Sequence, residues 1–208
     1  LDGSAIGNPV GQRANTIETE VVATFLPRVV IDSLYSAVEQ AGLTVQSLTL
    51  EPIAAGSLVI SPTMRQLNLA LVDVGAGTSD VAVAREGALV AFGMVPLAGD
   101  EVTECLCREL LVDFYEGETV KRRLRCGGEV TFRDVVGQTH TRSAGELVAV
   151  IEPTVREIAR HIAEEIMGLN GKAPQAVILI GGGSLTPGLP EALAGWLELS
   201  PQRVAVRG

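Results

Sequence analysis

Two glycine-rich segments carry residue types that can grip phosphate. The first reads Leu71-Val72-Asp73-Val74-Gly75-Ala76-Gly77-Thr78-Ser79-Asp80. An apolar run ends in an acid, turns tightly, and a second apolar run follows. Glycines let a backbone turn sharply and let a phosphate approach its N–H groups. The hydroxyls of Thr78 and Ser79 can donate to phosphate oxygens, and Asp73 at a strand end can hold the water shell of Mg²⁺. An ordinary hairpin with a polar turn accounts for the same spacing equally well.

The second segment reads Ile178-Leu179-Ile180-Gly181-Gly182-Gly183-Ser184-Leu185-Thr186-Pro187-Gly188. Three consecutive glycines are entropically costly, and a flat ligand face laid against the backbone would offset that cost. The alternative is a tight connection from strand to helix. The segment is neither a Rossmann fingerprint nor a Walker A loop, because no Gly-Lys-Ser/Thr follows. Two such loops, each at a strand end, are less readily explained as accident than either one alone.

Elements must position these loops. Strand patterns cover 69–74, 80–84 and 88–95, with Arg85-Glu86-Gly87 as a hairpin turn. Another strand pattern covers 176–180, a short one 203–206, and a β-branched run 17–26. Helical spacing covers 28–41, stopped at Gly42, and shorter helices are expected over 54–60, 100–112, 116–124 and 188–197. Residues 43–51 read as extended, and 126–145 as a small hairpin or loop. The strongest helix pattern is 145–167, where Leu147, Val150, Ile151, Val155, Ile158, Ile162 and Ile166 form one stripe interrupted by Pro153. Strands mixed with long helices give an α/β layered fold.

The 208 residues are 47% hydrophobic and 20% charged, so a large packed core is expected. Aromatics are 3%, which leaves the core to Val, Leu, Ile and Ala. A net charge of −9 argues against a nucleic-acid-binding face and against direct docking on an anionic membrane. No apolar run is long enough to span a bilayer. Cys105, Cys107 and Cys126 lack a fourth zinc ligand and read as buried thiols of a reducing compartment. His140 and His161 pair with no nucleophile motif, and Trp196 reads as core. Lys121-Arg122-Arg123-Arg125 is a basic cluster in an acidic chain, either a solvated helix face or a help in holding phosphate. A start at Leu1 and an end just after a strand-like run read as a piece of a longer protein.

Taken in order and spacing, these segments resemble the actin-like ATPase superfamily, which includes actin, the seventy-kilodalton chaperones and the bacterial FtsA family. Asp73–Asp80 is similar to its second phosphate loop, and Gly181–Ser184 with Pro187-Gly188 to its adenosine loop. The FtsA family fits best. Leu1-Asp2-Gly3 with Asn8-Pro9-Val10-Gly11, Leu50-Glu51-Pro52 with Ala54-Ala55, and the long helix with Ile151-Glu152-Pro153 all resemble its pattern. The resemblance implies an actin-like, ribonuclease H-like α/β fold. Residues 1–62 would be the tail of a first lobe and 63–208 a complete second lobe, with 105–170 a smaller helical subdomain on the adenosine side.

The resemblance also implies roles. Asp73 would hold hydrated Mg²⁺, and Gly75, Gly77, Thr78 and Ser79 would cradle the β- and γ-phosphates of ATP. Glu51, in Glu-Pro-Ile-Ala-Ala, would help position the attacking water. Glu118 and Lys121 would touch the adenosine, and Gly181, Gly182, Gly183 and Ser184 would flank adenine and ribose. Read from spacing alone, Glu51 is more readily a surface acid, and Glu118 with Lys121 is equally an i,i+3 ion pair. Two departures stand out: Ala76 replaces the usual central glycine, and the family's first phosphate loop would precede Leu1. So would the family's inserted subdomain.

The function implied is an ATP-binding, slowly hydrolysing switch in cell division. It would self-associate into filaments or dimers and serve as adaptor for the tubulin-like protein FtsZ. The site would be the cytoplasmic face of the inner membrane, reached through segments beyond Gly208. The alternative is a non-hydrolysing scaffold, as in pilus-assembly relatives, or a chaperone-type member.

Overall fold

The computed structural model describes residues 1–4, 6, 10–19, 23 and 25–207. The chain forms two compact units, Leu1–Glu51 and Pro52–Gly208. The lobe division drawn from the sequence lies after residue 62, later than this boundary.

In the first unit, the Asp2 carboxylate accepts from the amides of Asn15 (3.0 Å) and Thr16 (2.8 Å), stapling a loop. Helix α1 (Arg28–Gln40) follows, with no buried residue. Gly42, at φ +75°, donates to Glu39 O and ends it as expected. The motif residues Asn8-Pro9 and the 17–26 run, through Glu20, Val21, Val22 and Thr24, lie outside the described residues. The extended run expected over 43–51 forms no strand, and Glu51-Pro52 instead opens helix α2 (Glu51–Val59). Proline is tolerated in a first turn, where its missing N–H would have no partner anyway.

The second unit is built on a five-stranded sheet. Its strands are β1 (Leu69–Val74), β2 (Ser79–Arg85), β3 (Ala88–Val95), β6 (Ala176–Ile180) and β7 (Val204–Val206), ordered β3-β2-β1-β6-β7. The β1–β2 and β2–β3 pairs are antiparallel, whereas β1–β6 and β6–β7 are parallel. Glu86 (φ +54°) and Gly87 (φ +87°) make the two-residue turn between β2 and β3. Two further strands, β4 (Glu129–Arg133) and β5 (Thr139–Ser143), pair as a separate hairpin.

The helices of this unit are α3 (Gly99–Leu110), α4 (Phe114–Arg123), α5 (Ala144–Asn170) and α6 (Leu189–Trp196). Alternation along β1 sends Ala70, Val72 and Val74 into the main core with the stripe of α5, and Leu69 and Leu71 into a second core with Ile60. Leu147, Ile151, Val155, Ile158, Ile162 and Ile166 of α5 are all buried, and each contributes roughly 1.5–3 kcal/mol of burial. A capping box starts α5: Ser143 Oγ accepts from Glu146 N, and Ser143 N donates to Glu146 Oε2.

Two burial expectations fail. Trp196 is 53% exposed, because the inner face of α6 is filled by Leu189, Leu193 and Ala194. Of the thiols, Cys105 is buried, Cys107 half-buried, and Cys126 exposed on the short 3-10 turn after α4.

Candidate nucleotide cleft

The β1–β2 loop closes on itself through Gly75 N donating to Thr78 O at 2.9 Å. It is also tied to the start of α3. Gly99 N donates to Gly75 O (3.2 Å) and Asp100 N to Ala76 O (2.8 Å). Ala76 sits outside the left-handed region, so its replacement of the usual glycine imposes no backbone strain.

The glycine triplet follows β6, whose Ile180 lies beside Asp73 of β1. Gly181 takes φ +81° and Gly182–Leu185 form a 3-10 turn. A side chain on Gly181 would overlap the Asp73 carboxylate, and one on Gly183 would come within 2.9 Å of Val74 O and Gly75 O. A side chain on Gly182 would meet nothing within 4 Å. Close approach to β1 therefore requires the outer two glycines before any ligand enters. The middle one is open.

Helix α4 starts at Asp113, whose carboxylate accepts from Glu116 N at 2.8 Å. One face, continued into the following turn, then presents Phe114, Glu118, Lys121, Arg122 and Arg125, a stripe at helical spacing. These three features meet around one cavity of about 550 Å³. Gly75 and Ala76 form one wall, the α4 stripe and Asp100 another, and Gly182, Gly183, Leu185 and Thr186 the third. Three cations, Lys121, Arg122 and Arg125, face two carboxylates, Asp100 and Glu118, in its lining.

Glu118 is bound on both oxygens. Oε2 meets Lys121 Nζ at 2.6 Å and Thr103 Oγ1 at 2.9 Å, and Oε1 meets Arg122 Nε at 2.9 Å. Burial alone would push its pKa up, but the hydrogen bonds from Lys121, Arg122 and Thr103 together hold it below the ordinary value. Among the described residues Arg125 has no ion-pair partner, so its guanidinium is free to meet an anion.

Asp73 is half-buried and stands directly across the β1–β2 ladder from Asp80. Burial pushes its carboxyl pKa up, and the Asp80 charge adds to the rise. Among the described residues no cluster of three or more His, Cys, Asp or Glu could hold a metal.

Of the residues expected from the sequence, Gly75, Glu118, Lys121, Gly182 and Gly183 line the cavity together. Asp73 and Gly181 touch behind it, at the ends of the parallel pair β1–β6. Gly77 and Thr78 are exposed on the loop. Ser79 is fully buried and donates to Leu97 O at 2.8 Å, and Ser184 is buried and bonded to Gly181 O. Both hydroxyls brace their loops from behind. Glu51 is exposed at the start of α2, as the last residue of the first unit. Phe114, Asp100 and Thr186 were not anticipated. Phe114 lies four residues before Glu118, so the helical stripe was the available signal.

The family model for cell division protein FtsA matches residues 70–207 of this chain. The chain belongs to the FtsA family. The cell division protein FtsA of Bacillus subtilis (strain 168) is 29% identical over 92% of the chain and 47% of that relative. The chain thus spans about half the length of the FtsA relatives it matches. Among solved structures, a PilM-PilN type IV pilus biogenesis complex has a TM-score of 0.69 at 19% identity, covering 87% of this chain and 48% of the other. MreB5 of Spiroplasma citri bound to AMPPNP has a TM-score of 0.58 at 17% identity, covering 87% and 60%. The fold of this FtsA-family chain is that of the actin-like ATPases. Among its described residues no helix is long and apolar enough to cross a membrane.

Proposed function

We propose that this chain supplies the second lobe, and part of the first, of an ATP-binding division protein of FtsA type. The observation that carries this reading is the cavity where the β1–β2 loop, the glycine triplet and the α4 stripe converge. Backbone amides, glycines without side chains and a free guanidinium suit an anionic phosphate chain at one end and a flat base at the other. A neighbour in fold, MreB5 of Spiroplasma citri, was solved bound to AMPPNP, which supports a nucleotide as the kind of ligand.

In this reading residues 63–208 are the second lobe, and 105–170 its smaller subdomain. Gly75, Gly77, Thr78 and the amide of Ser79 cradle phosphate, while Glu118 and Gly181–Ser184 border the adenosine. Asp73 is the residue that would hold Mg²⁺. The carboxylate pair Asp73–Asp80 fits a divalent cation, because a cation would offset both the burial and the neighbouring Asp80 charge that raise the Asp73 pKa. Mg²⁺ supplies charge neutralisation at the transferred phosphoryl group. Glu51 orients the attacking water, and turnover is slow because the ATP-bound state is the signal. The protein self-associates, serves FtsZ or other division proteins, and works in the cytoplasm at the inner membrane face.

Photo-crosslinking with 8-azido-ATP tests the site. Label is expected on peptides of α4 and of 181–188, and competed by Mg-ATP. Label elsewhere, or no competition, contradicts the reading. The PilM likeness favours a second reading, a scaffold that binds nucleotide without hydrolysing it. Phosphate release by the full-length gene product, abolished by Glu51→Gln, would exclude the scaffold.

A further inference from the structure

Trp196, expected in the core and found half-exposed, lines a second cavity. This cavity, of about 560 Å³, is the seam between α5 and α6. Val148 and Val155 of α5, Pro187 just before α6, and Ala192 and Trp196 of α6 make its lining apolar. It shares no lining residue with the nucleotide cleft: Thr186 borders the cleft and Pro187 borders the seam. Its occupancy therefore does not depend on the nucleotide reading.

The seam is preformed. Ile151 and Val155 anchor α5 in the main core, and Leu189 and Leu193 anchor α6 in the same core. Preformed apolar clefts with a few placed polar groups are the usual form of binding sites. Gly195 points the same way. It lies within α6, where glycine is a poor helix former. Its φ is not left-handed, and a Cβ on it would meet nothing within 4 Å, so neither the backbone nor its described neighbours require a glycine there. Its bare backbone leaves room in the seam for something to approach closely.

The polar rim is unbalanced. It consists of Glu152, Arg156 and Glu191. Arg156 is committed to Glu152, whose Oε1 accepts from Nε at 3.0 Å and meets Nη2 at 2.9 Å. Glu191 is exposed and has no ion-pair partner among the described residues. The rim thus carries a surplus carboxylate, on a chain of net charge −9. A complementary occupant brings a Lys or Arg beside its apolar anchors. An anionic lipid surface, or a second copy of this acidic chain, meets repulsion instead.

We propose that the α5–α6 seam docks an amphipathic helix of a partner protein, with apolar anchors in the groove and a Lys or Arg against Glu191. A groove between two helices takes the apolar ridge of a third, spaced i, i+4, i+7. Trp196 is the aromatic anchor on this side, the residue type that most often dominates such contacts.

Trp196 is the only tryptophan of the chain, so its emission reports on this groove. The probes are two synthetic helical peptides. One carries leucines at i, i+4 and i+7 with lysines beside them, and its twin carries glutamates in place of the lysines. Titrating the lysine peptide into the chain should shift Trp196 emission to the blue, saturably, with an affinity about fivefold or more above that of the twin. Glu191→Lys should invert that preference. Gly195→Leu puts a side chain into the groove and should weaken the lysine peptide about tenfold or more. Leucine is a better helix former than glycine and this position has room for it, so the variant stays folded.

No shift with either peptide would overturn the proposal. Equal affinity for both peptides, unmoved by Glu191→Lys, would overturn it in favour of apolar adhesion alone. Undiminished binding to Gly195→Leu would place the peptide elsewhere and overturn it too. A blue shift on concentrating the chain by itself, or on adding phosphatidylglycerol vesicles, would assign the groove to a second copy or to lipid instead.

Discussion

The glycine triplet separates architecture from ligand binding, one residue at a time. A methyl on Gly183 would sit 2.5 Å from Val74 Cγ1 and 2.9 Å from the carbonyls of Val74 and Gly75. Comfortable carbon contacts lie near 3.5–4.0 Å, so relief needs a shift of about 1 Å. Val74 is buried on a β-branched side chain, and Gly75 O is held by Gly99 N, so neither neighbour moves freely. Overpacking of this kind costs about 1–3 kcal/mol. In a chain of this size each kcal/mol lowers Tm by about 2–4 °C, so Gly183→Ala should melt about 2–12 °C below wild type. Gly182→Ala meets nothing within 4 Å and has an ordinary φ, so its Tm should stay within about 2 °C. Gly182→Val would carry bulk into the cavity and lower Mg-ATP affinity without a comparable loss of Tm. Differential scanning calorimetry of the variants decides. A neutral Gly183→Ala, or a Gly182→Ala as harmful as Gly183→Ala, would refute the packing argument.

Other outcomes follow from the same geometry. Asp73→Asn removes a carboxylate whose ionisation the fold disfavours, so Tm measured without Mg²⁺ should hold or rise, while the Mg²⁺ dependence of nucleotide binding is lost. Because the Asp73 pKa is raised, Mg²⁺-dependent binding in a pH titration should begin to weaken above the range of an ordinary aspartate as pH falls. Glu118 has the opposite sign: its lowered pKa contributes stability present above the unfolded value and lost as pH falls through the folded one, so Glu118→Gln should flatten the acid limb of a Tm-versus-pH curve. Ser143→Ala removes the side-chain half of the α5 capping box and should cost about 1 kcal/mol, read as a Tm lowered by about 2–4 °C.

Much of the second unit was legible because its signals are local. β1 to β3 show apolar runs broken by glycine turns, and the α5 stripe repeats at helical spacing over six buried residues. Residues 43–51 and the start of α2 were misread because Pro52 looks like a break and is instead accommodated in a first turn. Trp196 and Cys126 were misplaced because burial depends on which neighbour covers a face, and spacing does not say. The glycine loops were visible as segments. Their convergence with α4 was not, since the hydrogen bonds at Gly99 join residues from three stretches of chain that are distant in sequence. The hydroxyls of Ser79 and Ser184 illustrate the same limit: the residue type permits a phosphate contact, but packing directs both groups to backbone carbonyls.

The central claim is that the cavity bordered by Gly75, Gly182, Gly183 and the α4 stripe is a nucleotide site. Isothermal calorimetry of Mg-ATP against the full-length gene product, with Gly182→Val alongside, tests it most directly. Saturable binding by the wild type, lost in a Gly182→Val protein that still melts cooperatively, is the expected result. No heat of binding from a folded wild type, or undiminished binding by Gly182→Val, would contradict it.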